Sequence, residues 1–233
     1  MKKIIITQSN YIPWKGYFDS INIADKFIIY DDMQYTRRDW RNRNQIKTQN
    51  GLQWLTIPVE VKGKYFQKIN QTKISDRDWG KNHWNTIKHN YNKGRYFKDY
   101  REVFENLYLN TDEEYLSKIN YNFINSICGI LGIKTEMVWS SEYDLLEDRN
   151  ERLIDLCKKC GATDYYSGPS AQSYMDLDLF EKENIKVHWF DYSGYPVYSQ
   201  LYGEFVHAVS ILDLIFNEGP DSKKFMKSFN NEL

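Results

Sequence analysis

Apolar residues along this chain follow two spacings, which predict where strands and helices fall. Lys3–Thr7 (KIIIT) is an unbroken β-branched run without polar alternation, the pattern of a strand covered on both faces. Asn10, Pro13 and Gly16 interrupt regular structure, after which Tyr17, Phe18, Ile21 and Ala24 recur at helical spacing. Phe27–Tyr30 (FIIY) is a second short apolar run of strand length. Strand, helix and strand within about 30 residues make a βαβ unit, whose strands are parallel and joined by a right-handed crossover.

Leu52–Val59 reads as another strand, preceded by the turn pair Asn50-Gly51 and closed by Pro58. Tyr65, Gln67, Ile69 and Gln71 alternate as in a polar strand or hairpin arm. Residues 78–93 and 96–109 carry helical patterns. A longer helix runs to Leu131, with Asp112 as its expected cap and Tyr115, Ile119, Phe123, Ile127 and Ile130 on one face. Residues 78–131 thus read as a mainly helical insertion or layer. Gly132 stops that helix, and alternation resumes with a strand over Lys134–Tyr143 and a helix over ERLIDLCKKCGA, capped by Gly161. DYYSGPSAQSYM is a strand entering a small-residue loop. A short helix over Asp176–Asn184, a strand over Ile185–Tyr192 and a last helix over Gly203–Phe216 follow. Both ends of the chain therefore feed one parallel sheet, giving an α/β fold and a single domain over residues 1–233.

Composition narrows the setting. Lys+Arg 31 against Asp+Glu 32 leaves a net charge of -1, so no global field recommends nucleic acid or a membrane as partner, and anion binding must be local. The 19 tyrosines and 7 tryptophans supply much of the packing area. Cys128, Cys157 and Cys160 are too few and too unevenly placed for a disulfide framework, and a lone C-x-x-C within a helix falls short of the four ligands zinc needs. The start MKKIIITQSN lacks a signal-peptide core, so a cytoplasmic location is expected.

Candidate chemistry concentrates in Asp31–Lys47, DDMQYTRRDWRNRNQIK, where two carboxylates precede four arginines within seven residues. The stretch follows the FIIY strand, and open α/β sheets bind ligands at carboxyl strand ends. Arg37, Arg38, Arg41 and Arg43 could grip a diphosphate, with Tyr35 and Trp40 stacking on a base or sugar; a nucleotide-sugar meets both requirements. The plainer account is a solvated loop whose aspartates neutralise its arginines. Asp31 and Asp32 could share Mg²⁺ with substrate phosphates, or act without metal, one holding an arginine and the other serving as general base. No metal ligand is assigned. Gln8, Asn10, Tyr11, Trp14 and Tyr17 occupy the loop between the first strand and helix, where backbone N–H groups suit an anion. Ser170 and Tyr174 sit in a third such loop. His83 and His89 lie six residues apart, on different faces of a regular helix, so they do not form an i, i+4 metal pair. His89, beside Asn90, Tyr91 and Lys93, is an acid/base candidate. The expected catalytic residues are Asp32, His89 and Asn10. There is no Gly-x-Ser-x-Gly elbow, Walker A loop or Gly-x-Gly-x-x-Gly fingerprint.

At QSNYIPWKGYFDSI, YDDMQYTRRDWRNRNQIK, WLTIPV and YYSGPSAQSYMD the chain resembles the WbqC-like family of bacterial surface-polysaccharide gene clusters, over nearly its whole length. The resemblance implies an enzyme that transfers an acyl or aminoacyl group, such as glycyl, to the amine of a nucleotide-linked amino sugar in O-antigen assembly, with ATP or an acyl donor as co-substrate. A metal-dependent glycosyltransferase-like enzyme and a non-catalytic nucleotide-sugar-binding protein remain open. More distantly, the first 35 residues resemble HUP-type nucleotidyltransferases and pantothenate-synthetase-like ligases. That implies a Rossmann-like, HUP-like three-layer sandwich, but Trp14-Lys15-Gly16-Tyr17 stands where those families carry two histidines.

Overall fold

The computed structural model describes residues 1–230. Its centre is the isoleucine run of β1 (Lys3–Thr7), whose side chains alternate between two cores: Ile5 packs on one side, and Ile4 and Ile6 on the other. Helix α1 (Lys15–Ile23) carries the chain to β2 (Lys26–Ile29), parallel to β1 in the register Ile4↔Lys26 to Thr7↔Ile29. After a long excursion the chain returns as β5 (Glu136–Trp139) on the far side of β2. Helix α5 (Arg149–Lys159) then leads to β6 (Asp164–Ser167) on the other side of β1, and α6 (Leu177–Lys182) to β7 (Lys186–Trp189). All four pairings are parallel, in the spatial order β5-β2-β1-β6-β7. The sheet runs outward from β1 in both directions, which is doubly wound topology.

Helices cover both faces. Leu153, Ile154, Leu156 and Cys157 of α5 and Phe180 of α6 form one core with Ile4, Ile6 and Ile28. Phe18 and Ile21 of α1 share the larger core with the excursion and the last helix, α7 (Ile211–Glu218). Helix, sheet and helix make a Rossmann-like three-layer sandwich. Cys128, Cys157 and Cys160 are buried free thiols.

The excursion holds three helices, α2 (Trp79–Tyr91), α3 (Phe97–Leu109) and α4 (Leu116–Leu131), within the expected helical stretch. They are preceded by an antiparallel hairpin of β3 (Arg43–Thr48) and β4 (Gly51–Thr56). Four expectations are corrected. The Asp31–Lys47 stretch is a loop only in its first part, because Arg43 to Lys47 pair with β4. The strand expected from Leu52 is found as β4, the second arm of this hairpin. Tyr65–Gln71 forms no strand; it ends in a 3-10 turn at Ile69–Gln71, tied by an isolated bridge between Gln34 and Lys68. Asp112 does not cap α4, whose N-terminal boundary is Tyr115 without a side-chain cap. The last helix starts at Ile211, eight residues late, where Ser210 Oγ accepts the Leu212 N–H.

Between β7 and α7 the chain runs without helix or strand, and buried lysines fasten it. Lys15 Nζ donates to the Pro196 carbonyl at 2.7 Å, Lys227 Nζ to those of Asp191 (3.2 Å) and Ser193 (3.0 Å), and Lys47 Nζ to Gln200 Oε1 (2.8 Å) and the Glu204 carbonyl. Each ammonium satisfies a carbonyl that lacks a ladder partner. Burial pulls Lys15 down to about 8, with Asp19 opposing the shift.

The excursion is tied to the β1–α1 loop by a buried aromatic network. The Tyr11 hydroxyl lies 2.8 Å from His83 Nδ1 and 2.9 Å from the Tyr108 hydroxyl, and His83 Nε2 lies 3.1 Å from the Thr56 carbonyl. A carbonyl only accepts, so Nε2 carries a proton. Burial holds His83 down to about 4. The unfolded chain then binds a proton near pH 6.5 that the folded chain refuses until about pH 4, so stability is lost as pH falls through this window, by up to about 3 kcal/mol. Buried Asp31 and Asp213 are shifted up, which changes stability in the opposite sense, so a comparison isolates the histidine. Urea titrations between pH 7 and 4 should show a flatter decline in His83→Gln than in the wild type; parallel curves would exclude this role.

Candidate functional site

The carboxyl ends of β1, β2 and β6 open into a cleft of about 750 Å³. β1 and β6 flank the point where the winding reverses, so their connections depart in opposite directions and leave a crevice above the strand ends. Its floor includes Ile5, Thr7, Tyr165 and Tyr166. One wall is the β1–α1 loop with Trp40 and Arg41; the facing wall comprises Tyr30, Arg149, the Ser167–Ala171 turn and Tyr174. Trp14 and Tyr192 close one side, with ring centroids 5.4 Å apart in an edge-to-face arrangement.

The first wall depends on a buried carboxylate. Asp31 accepts the Ser9 N–H at 2.8 Å, Ser9 Oγ at 2.7 Å and Ser117 Oγ. Asn120 Nδ2 of α4 donates to Ser9 Oγ (3.0 Å) and the Arg41 carbonyl (2.8 Å). Burial raises the Asp31 carboxyl, opposed by the hydrogen bonds from Ser117 and Ser9 and by the Arg41 charge. Above this anchor, Arg41 donates one Nη to Asn10 Oδ1 and the other to Gln8 Oε1. The amide oxygens are thereby occupied, leaving N–H groups of Gln8, Asn10 and Arg41 to serve a ligand. Ile12, β-branched and fully buried, has φ 36°, and its carbonyl accepts Asn44 Nδ2 at 2.9 Å. Such a backbone costs about 1–3 kcal/mol and persists only where its surroundings impose it. Trp14 folds across Gly16, where any Cβ would come 2.3 Å from the indole.

Of the residues expected at the site, Gln8, Asn10, Trp14, Tyr17, Trp40, Arg41, Ser170 and Tyr174 line the cleft together. Others lie outside it. Tyr11 is fully buried behind the loop, and Asp31 beneath it. Tyr35 is buried outside the cleft. Arg37 donates to the Val61 carbonyl at 3.1 Å. Arg38 offers its carbonyl to Arg43, whose guanidinium lies 4.1 Å from the Trp54 ring. Strand pairing from Arg43 onward turns that part of the stretch away, so one arginine of the four reaches the cleft. Asp32 accepts Ser140 Oγ at 2.6 Å and Asn70 Nδ2 at 3.0 Å, with Lys68 Nζ 3.8 Å away. Asp31 and Asp32 therefore serve different protein partners and are not arranged as a shared cation site. Among the described residues, no group of three or more His, Cys, Asp or Glu side chains could hold a metal. His89 is on the exposed face of α2, away from the cleft.

Sequence reasoning did not single out Tyr30, Arg149, Tyr166 or Tyr192 as ligand-facing. Tyr30 closes the FIIY run and could have been found from its strand-end position; Arg149 carries no local signal. Among the described residues, none lining the cleft is an Asp, Glu, His, Lys or Cys. The two lining guanidiniums therefore make it an anion-attracting crevice.

A parallel sheet wound outward from its first strand, with an open crevice at the switch point, defines a Rossmann-like α/β protein. The WbqC-like protein family matches residues 8–225, and the chain belongs to that family. It is 51% identical over 227 residues to the uncharacterized protein Rv1507c of Mycobacterium tuberculosis (strain ATCC 25618 / H37Rv), covering 97% of this chain and 98% of that protein. No solved structure matches the chain significantly. No helix among the described residues is long and apolar enough to cross a membrane.

Asp31→Ala leaves the Ser9 N–H and the Ser117 hydroxyl without their acceptor, at a cost of roughly 2 kcal/mol or more. Chemical denaturation should show that loss. An unchanged midpoint would mean that the loop is held by its other contacts.

Proposed function

We propose that the switch-point cleft binds a nucleotide-linked amino sugar, and that the protein forms an amide by transferring an acyl or aminoacyl group to the sugar's amine. One observation carries the reading: a crevice at the topological switch point lined by two guanidiniums, amide and hydroxyl donors and flat aromatic rings, with no carboxylate to repel an anion. Trp14, Tyr192 and Trp40 offer faces for a base or sugar ring, and Gln8, Asn10 and Ser170 offer directional hydrogen bonds. The fit to surface-polysaccharide assembly rests on family membership.

Acyl transfer asks little of a protein when the donor is activated. The amine lone pair forms the C–N bond, the leaving group departs with the pair that held it to the acyl carbon, and the amine proton passes to that leaving group or to water. Positioning and stabilisation of the carbonyl oxygen as it gains charge are then the protein's tasks. Asn10 and Arg41, fixed against each other on one wall, are the residues proposed for the second task. Asp32 and His89 are not carried forward as bases, because neither faces the cleft. ATP or an acyl thioester would supply the activation.

A second reading, a nucleotide-sugar-binding protein without chemistry, is favoured by the lack of any carboxylate, imidazole, amine or thiol among the described lining residues. Mass spectrometry separates the two. Incubation with an aminodeoxysugar nucleotide and either glycine with ATP or an acyl-CoA should yield an amide adduct on the sugar. Binding without product across a broad panel of donors and amines would leave the second reading. Calorimetry with the same nucleotide-sugar should show Arg41→Ala at least tenfold weaker, about 1.4 kcal/mol, and Arg38→Ala unchanged. Equal losses in both variants would return the site to the arginine stretch as a whole.

A further inference from the structure

The wall facing Arg41 has a composition of its own. Arg149 and Arg152 stand in the first turns of α5, an eleven-residue helix whose amino end is capped by Asp148 accepting the N–H groups of Asn150 (2.8 Å) and Glu151 (3.0 Å). The Arg149 guanidinium lies over the Tyr174 ring at 4.4 Å, and that of Arg152 lies 5.8 Å from the Tyr30 ring centroid. Tyr30 is 8% exposed and lines the cleft, yet its hydroxyl has no hydrogen-bond partner among the described residues; Arg152 Nε is likewise buried and unpartnered. Burial raises the Tyr30 hydroxyl; the charge and close polar approach of Arg152 and the charge of Arg149 oppose that shift, so both guanidiniums act on this oxygen, although no well-formed hydrogen bond joins it to Arg152. The nearest opposing charge, Asp32, is occupied by Ser140 and Asn70.

A buried hydroxyl and a buried guanidinium N–H are both donors, and leaving both unmet is costly. An acceptor entering the cleft would meet the Tyr30 hydroxyl, with the Arg152 charge behind it, and Arg149, over the Tyr174 ring at the cleft edge, would reach the same acceptor. The helix dipole adds to the attraction.

We propose that Arg149 and Tyr30, with Arg152 behind them, form the phosphate subsite of the cleft, holding the diphosphate of the nucleotide-sugar against the amino end of α5 and leaving the opposite wall, with Arg41 and Asn10, to the sugar and the transferred group. This rests on the nucleotide-sugar reading and makes it specific: the diphosphate is held by residues more than a hundred positions beyond the arginine-rich stretch. Tyr30 is a binding residue here. Because its hydroxyl makes no well-formed hydrogen bond in the protein, removing it should leave the fold intact.

The test is calorimetry on the full chain with inorganic pyrophosphate, alongside thermal melting. The wild type should bind pyrophosphate, Arg149→Ala should bind at least tenfold more weakly, and Tyr30→Phe should weaken binding severalfold with an unchanged or higher Tm. Failure of the wild type to bind pyrophosphate would overturn the proposal. So would unchanged affinity in both variants. If nucleotide-sugars bind and neither variant affects them, the subsite alone is wrong; if no nucleotide-sugar binds the wild type, the cleft reading itself falls.

Discussion

The buried carboxylate of Asp31 is the constraint around which the site is arranged. A carboxylate at the end of a parallel strand, stripped of water, must be met by donors, and those donors come from two distant parts of the chain. Ser9 brings the β1–α1 loop and Ser117 brings α4. With the loop fixed, Gln8 and Asn10 meet Arg41 and face the crevice. The strained φ of Ile12 fits the same picture, since a buried β-branched residue keeps a positive φ only when its surroundings leave no alternative.

Sheet topology then decides where a ligand can enter. Three of the five strands follow a 106-residue excursion after Ile29, yet pairing returns them to the same sheet: β5 beside β2, β6 beside β1 across the switch point, and β7 beyond it. The irregular segment after β7 brings Tyr192 over the cleft, where it meets Trp14. Its carbonyls have no sheet partner, and the ammoniums of Lys15, Lys47 and Lys227 take that place. Buried lysines in this protein are thus devices for ordering irregular chain, and none lines the cleft.

The arginine-rich stretch shows where composition misleads. Four guanidiniums in seven residues suggest one anion clamp, yet each meets a different environment: Arg37 a carbonyl, Arg38 the exterior, Arg43 a tryptophan face, and Arg41 the cleft. Only Arg43 belongs to β3 and pairs with β4; Arg37, Arg38 and Arg41 lie in the loop before it, each fixed by its own contacts. The paired aspartates, in the turn after β2, separate because each meets its own donors: Asp31 those of Ser9 and Ser117, Asp32 those of Ser140 and Asn70. Periodicity puts His89 on the outer face of α2, since the buried face is set by His83, Trp84 and Ile87.

The sequence by itself determined the strands β1, β2, β6 and β7, the helices of the excursion and the parallel α/β class, because these follow from local periodicity and from stop signals such as Gly132 and Gly161. It also marked Gln8, Asn10, Trp14 and Tyr17 as a strand-end loop, which is a property of position along the chain. Pairing choices lay beyond it. That Arg43–Lys47 would join β4, that α5 would set Arg149 opposite Arg41, and that Tyr30 would keep an unmet hydroxyl beside two guanidiniums all depend on contacts between residues far apart in sequence. Such contacts are fixed by burial and hydrogen-bond satisfaction over the whole fold, and no local window of sequence contains them.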